Sequence, residues 1–297
     1  MGVALLLLPD FLLIVGGALL KRIRAFDSGF WSGVERLVYF VLFPALLFRS
    51  LATSPLAAAD AARLVAVGLG FTFSGMLLSA LAQPLFRLPS ATFAACFQCG
   101  FRFNTYVAFA AASRVGGEAG LAAMSVLVGV LVPVVNVGAV GMLARGRQGR
   151  IVIELARNPL VLACVGGIAW KLAGWPLPEV PGRVLQLLAS AALPLGLLAV
   201  GAGLTLARVT LPLPALAWWN AVKLVALPAI AYALAHALGL SALERQIAVT
   251  MAAVPTATSA YILAMQMNGV GAPVALLISS GTLLASVTLP LWIALVA

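Results

Sequence analysis

The stretch Phe97-Gln98-Cys99-Gly100-Phe101-Arg102-Phe103-Asn104-Thr105-Tyr106 places a cation, two amides and a glycine inside a run that is otherwise hydrocarbon in character. Lipid offers no partner to a guanidinium or an unpaired amide, so such a segment belongs where protein or a water-filled cavity can satisfy it. About 150 residues later, Val254-Pro255-Thr256-Ala257-Thr258-Ser259-Ala260-Tyr261 interrupts a second apolar run in a comparable place, with a proline as the break and hydroxyls as the polar groups. Paired interruptions in matching positions of two halves point to a transport site built from discontinuous helices.

The rest of the chain supports a membrane setting. Of its 297 residues 63% are hydrophobic and 9% charged, and the mean hydropathy is +1.13, which excludes a water-soluble globular domain. Apolar runs of roughly 17 to 25 residues recur, the length a helix needs to cross a bilayer. A helix also satisfies its own backbone in lipid, and no alternating ten-residue pattern suggests a barrel. The net charge of +10 would suggest nucleic acid in a soluble protein, but the arginines cluster in short loops and serve as an orientation signal, so nucleic acid is not an expected partner. Cys96, Cys99 and Cys164 all fall within apolar spans and form no disulfide framework. Cys96 and Cys99 have Cys-x-x-Cys spacing, yet no second ligand pair exists and His236 is the only histidine; they are read as small core residues, and no metal site is expected. Met1 to Leu8 lacks a basic region and leads into Pro9 and Asp10, so the first span is read as retained rather than cleaved.

Ten spans follow in order, at about residues 3–20, 34–52, 64–81, 91–112, 120–143, 158–172, 184–206, 216–238, 246–267 and 272–296. They divide the chain into a five-helix repeat over 1–144, a basic cytoplasmic linker over 145–157 and a second five-helix repeat over 158–297. Pro44 corresponds to Pro194, Tyr106 to Tyr261 and Pro133 to Pro290, and an odd number of spans per half makes the repeat inverted. Lys21, Arg22, Arg24, Arg87, Arg145, Arg147, Arg150, Arg157 and Arg208 fall in one set of loops. Arg63, Arg114, Arg183 and Arg245 in the other set are offset by Asp60, Glu118, Glu179 and Glu244. Both termini are therefore expected outside, with the linker in the cytoplasm.

Arg102 and Lys223 are the cations placed deepest by sequence, with Asp10 the main carboxylate available to neutralise them. Arg102 either attracts an anion or snorkels and caps carbonyls; Lys223 has the same two readings. Were span 4 continuous, Gln98, Arg102, Thr105, Tyr106 and Phe109 would share one inward face. Gly100 allows backbone angles that other residues avoid, and Asn104 brings a donor and an acceptor either to a ligand or to a neighbouring helix. Pro255 frees the carbonyl of Met251; Thr256, Thr258 and Ser259 either repair that break or face a ligand or a sodium ion. Pro44 and Pro194 are read as hinges or packing kinks. No phosphate-cradling loop, paired intramembrane carboxylates or nucleophile with a base is evident, so an enzyme is not expected.

Phe101-Arg102-Phe103-Asn104-Thr105-Tyr106, Gly116-Gly117-Glu118-Ala119-Gly120, Pro133 with Asn136, Asn158-Pro159, and Pro255-Thr256-Ala257-Thr258-Ser259-Ala260-Tyr261-Ile262-Leu263-Ala264 resemble, in this order, the auxin efflux carrier family in its bacterial branch. The resemblance implies an all-α membrane protein of ten helices in two inverted five-helix repeats, related to bile acid sodium symporters, with helices 4 and 9 broken and crossing at the site. It implies transport of small organic anions, auxin-like acids or dicarboxylates of the malonate or malate type. Asn104 matches the amide at the helix 4 crossover and Pro255 the helix 9 break. Asn268-Gly269-Val270 departs from relatives that carry glycines and an acidic residue there.

The expected substrate-binding set is thus Gln98, Arg102, Asn104, Thr105, Pro255, Thr256, Thr258 and Ser259, with Pro44, Pro194 and Gly100 as hinge or packing residues. The expected activity is that of a secondary carrier in a bacterial inner membrane, with no cofactor beyond sodium or a proton as coupling ion. Its partners would be the organic anion, the bilayer and, as one option, a second copy of the chain. A sodium-coupled symporter, a channel and a membrane receptor are the rival readings.

Overall fold

The computed structural model describes residues 3–54, 57–143, 158–204, 211–267 and 269–297. The basic linker, Arg208 and Asn268 lie outside them, with the expectations attached to those positions. Every regular element among the described residues is a helix. α1 (Val3–Leu20) is followed by a run made of α2 (Ser28–Leu37), a π-helical turn (Val38–Leu42) and α3 (Phe43–Ala52). This run starts earlier than hydropathy suggests because Asp27 caps it, its carboxylate accepting the Phe30 N–H at 2.8 Å. The π turn has a local cause. Pro44 cannot donate to the carbonyl four residues back and its ring crowds that carbonyl, so the turn widens.

α4 (Ala58–Ala80) and the short α5 (Ala82–Phe86) lead to α6 (Ser90–Phe97), which tightens into a 3₁₀ turn (Gln98–Gly100) and stops. α7 (Thr105–Leu143) starts after four non-helical residues and is itself kinked at Gly117, whose φ of 52° lies in the left-handed region that glycine tolerates. Span 4 is therefore not continuous, and the single face expected to join Gln98, Arg102 and Phe109 does not form. α8 (Pro159–Leu172) begins with Asn158 as its cap, Oδ1 accepting the Leu160 and Val161 N–H groups. α9 (Glu179–Gly203) follows. α10 (Leu213–Ala221), a second π turn (Val222–Ala226) and α11 (Leu227–Ala237) repeat the arrangement seen before Pro44, here before Pro228. The carbonyl four residues before Pro228 belongs to Leu224, and the Trp292 indole N–H takes it at 2.8 Å. α12 (Ala242–Ala253) opens on a Ser241–Glu244 capping box; α13 (Ser259–Gln266) and α14 (Gly271–Val296) complete the chain.

Among the described residues five helical runs are long and apolar enough to cross a membrane: Ala59–Phe86, Ser90–Leu143, Glu179–Gly203, Leu213–Ala237 and Gly271–Val296. Burial is inverted relative to a soluble protein. Leu77, Leu172 and Leu295 face outward, whereas Gln98, Asn104 and Lys223 are buried. With lipid as apolar as leucine, helices gain by close packing, and small residues permit it. α1 packs chiefly on α9, and α3 on α8 and α9; α11 and α12 pack on each other and on α4, α7 and α14. The α1–α9 contact is backbone to backbone. A Cβ on Gly201 would lie 1.8 Å from the Ile14 carbonyl oxygen, and one on Gly17 1.9 Å from that of Leu198.

Gly201→Ala should therefore force α1 from α9 and cost about 1–3 kcal/mol, lowering the melting temperature of the detergent-purified protein. Gly141→Ala, where a Cβ meets nothing within 4 Å, should leave stability unchanged or raise it by up to about 1 kcal/mol. Equal melting temperatures for the two variants would contradict the packing described.

Candidate functional site

The first break is set by crowding. At Gly100 a Cβ would lie 1.9 Å from Ser79 Oγ on α4, so glycine is required there for space and not for an unusual φ, which it does not have. The Phe101 and Arg102 N–H groups close on the Gln98 carbonyl at 3.3 and 2.9 Å, ending the helix. Asn104 restarts it: its Oδ1 accepts the Tyr106 and Val107 N–H groups at 3.1 and 3.3 Å, the usual role of an N-cap. The second break follows from Pro255. The backbone turns extended at Val254, and α13 resumes at Ser259.

The two breaks meet. The Asn104 N–H donates to the Pro255 carbonyl at 2.8 Å. Thr256 Oγ1 donates to the Cys99 carbonyl at 2.7 Å, and Gln98 Nε2 donates to the Ala260 carbonyl at 3.1 Å. Residues more than 150 positions apart thus satisfy each other's freed backbone groups. Gln98, Asn104, Pro255 and Thr256, all expected at the site, act as its braces; Thr105 is half-buried at the start of α7.

Beside this crossing lies a cavity of about 610 Å³, and of the expected residues Arg102, Thr258 and Ser259 line it. Arg102 is 8% exposed. Its guanidinium donates to Gln98 Oε1 at 2.6 Å and to Asn136 Oδ1. Both partners are neutral. Asp10, expected as the neutralising carboxylate, pairs instead with Arg114 at 3.1 Å, because α1 runs beside the far end of the first part of α7. Lys223 does not line the cavity; its Nζ donates to the Ala252 carbonyl at 2.6 Å. Pro194 lies inside α9, and two residues on, Gly196 leaves room for the Tyr106 ring, to which a Cβ would come within 3.0 Å.

The cavity wall also holds Glu35, Tyr39, Tyr106, Asn136, Asn158 and Gln266. Asn136 and Asn158 were visible as amides at span positions. Glu35 and Tyr39 fall inside the expected 34–52 span, but which face of that helix meets the cavity depends on packing that hydropathy does not carry. Two half-helices, α7 and α13, begin at the crossing, and their first-turn residues Tyr106 and Ser259 face the cavity. Helix amino termini carry partial positive charge. Together with a guanidinium held by neutral amides, they make a wall suited to a carboxylate.

Residues 147–293 match the model of a family described as Membrane transport protein, the membrane transport domain of the auxin efflux carrier type. The match runs from the linker through most of α14 and so includes Pro255 and its hydroxyls, while Arg102 and the first break precede it. No curated protein matches the chain. With its apolar helices and outward-facing leucines, the chain is a multi-pass membrane protein whose second half places it in the auxin efflux carrier family of membrane transporters.

Proposed function

We propose that this protein is a secondary carrier for a small organic anion, an auxin-like carboxylic acid or a dicarboxylate of the malonate or malate type. One observation carries the reading: the Arg102 guanidinium, paired only with neutral amides, forms part of the wall of a cavity at the crossing of two broken helices. The cavity volume of about 610 Å³ falls in the range of small-molecule sites. The fold is read as ten crossings in two inverted repeats, 1–144 and 158–297, meeting at that crossing.

Alternating access follows from where the cavity and the ion pairs lie. Glu35 and Arg49 sit on one helical run, about 20 Å apart at 1.5 Å per residue. The cavity is at the Glu35 end, and at the other end Arg49 pairs with Glu118 at 3.1 Å, next to the Asp10–Arg114 pair. Both pairs tie α1 or α3 to the kink region of α7. Partly exposed pairs of this kind contribute about 0–1 kcal/mol each, which suits contacts that must break once per cycle. Lys21, Arg22 and Arg24 follow α1 at the cavity end, so that end is assigned to the cytoplasm of a bacterial cell and both termini to the outside.

Arg102→Gln should weaken carboxylate binding about 10- to 100-fold. The measurement is the rise in melting temperature of the purified protein with malonate, malate or indole-3-acetate, since a ligand of the folded state raises its apparent stability. A variant stabilised as well as the parent would overturn the assignment. Asn104→Ala should still insert but lose uptake into proteoliposomes, because it loses the cap on α7.

The ion pairs give a separate test. Asp10→Asn combined with Glu118→Gln should shift the carrier toward the opposite-facing state. A thiol placed at Ser259 should then react more slowly with a membrane-impermeant reagent applied from the cytoplasmic side; the native cysteines are buried. An unchanged rate would remove the ion pairs from the gate.

A further inference from the structure

Lys223 is a second deep cation, and the cavity does not use it. It lies in the π turn Val222–Ala226, is 3% exposed, and donates through Nζ to the Ala252 carbonyl at 2.6 Å. Among the described residues it forms no ion pair with a carboxylate. A buried ammonium without an anion is unfavourable unless the protein supplies a negative potential at that point.

The potential comes from α12. Ala252 lies in its last turn, where the chain turns extended at Val254 and Pro255 brings no N–H, so the final carbonyls have no helical partners. The carboxyl end of this half-helix therefore carries partial negative charge directly at the crossing. The π turn before Pro228 changes the helical register at the place where Lys223 meets it, a device common at functional positions. At the other break, Arg102 stands beside the end of the 3₁₀ turn after α6, bonded to Gln98. Each half-helix that ends at the crossing is thus met by a cation of the chain itself, Arg102 on the cavity side and Lys223 behind it.

We propose that Lys223 is a tethered counter-ion: its ammonium does for the open carbonyl end of α12 what a dissolved sodium ion does in a sodium-coupled carrier, so the crossing assembles without a bound metal ion. Lys223 is a positioning residue. It fixes the end of α12, hence Pro255, whose carbonyl holds the Asn104 N–H and with it the start of α7. The consequence for coupling rests on the carrier reading above, whereas the cation requirement itself does not.

The test uses the full chain purified in detergent, with melting temperatures measured at equal ionic strength in choline, sodium and methylammonium chloride. The parent protein should melt at the same temperature in all three. Lys223→Ala should melt lower in choline and recover, saturably, as methylammonium or sodium enters the vacated space, while Lys223→Arg should stay near the parent and be indifferent to the salt. Lys223→Met keeps the volume without the charge and should melt below both the parent and Lys223→Arg; it decides the matter if Lys223→Ala does not survive extraction. Three results would each overturn the proposal: a parent protein stabilised by sodium over choline, a Lys223→Ala variant no more responsive to cations than the parent, or a Lys223→Met variant as stable as the parent. Failure of the anion reading shows elsewhere, as a parent melting temperature that malonate and indole-3-acetate leave unmoved whatever the cation.

Discussion

The hydrogen bond from the Asn104 N–H to the Pro255 carbonyl, flanked by those from Thr256 and Gln98, is the contact on which the rest depends. A helix broken within a bilayer leaves donors and acceptors that lipid cannot satisfy, each at a cost of several kcal/mol. One broken helix would be untenable. Two that cross satisfy much of each other's deficit, and the space beside the crossing is where irregular backbone is tolerated, because it is lined by protein. The cavity is a consequence of that mutual repair.

How the helices are joined elsewhere suits one group moving against another. α1 and α9 touch through backbone at Gly17 and Gly201, a contact that tolerates no added methyl and behaves as one piece. The contacts from α1, α3 and α9 to α7 run through side chains: the buried Phe43 ring against those of Tyr106 and Phe109, the Tyr106 ring over Gly196, and two partly exposed ion pairs near the α7 kink. Ring over glycine presents little relief to sliding, and the ion pairs exchange readily with water. Backbone contact thus joins α1 to α9, whereas side chains join them and α3 to α7.

Hydropathy and turn residues made much of this legible from sequence. The limits of α1, the start of α8 at Asn158-Pro159 and both breaks follow from length, capping and proline chemistry. What stayed hidden depends on which helix lies beside which. Asp10 looked like the partner of Arg102 because so few carboxylates were near, yet packing gives it to Arg114, and Asn136 meets the guanidinium instead. Gly100 suggested backbone freedom, but its role is to make room for Ser79. Glu35 and Tyr39 lie within the expected 34–52 span, yet their place on the cavity wall depends on which face of that helix the crossing meets, and an apolar run does not encode it.

The electrostatic balance at the crossing narrows what the cavity can favour. Two half-helices begin there and two end there, and with roughly half a charge at each terminus these contributions sum to about zero. Arg102 and Lys223 then leave an excess of about two positive charges on the crossing itself, while Glu35 and Arg36 on the facing wall offset each other. A neutral solute gains nothing from such a field, and a cation is repelled by it. An anion of one or two charges is what restores neutrality, and of the two cations only Arg102 stands where an anion can reach it. The polar interruption beginning at Gln98 therefore does two things at once: it closes the backbone through the second break, and it turns the Arg102 charge toward the cavity.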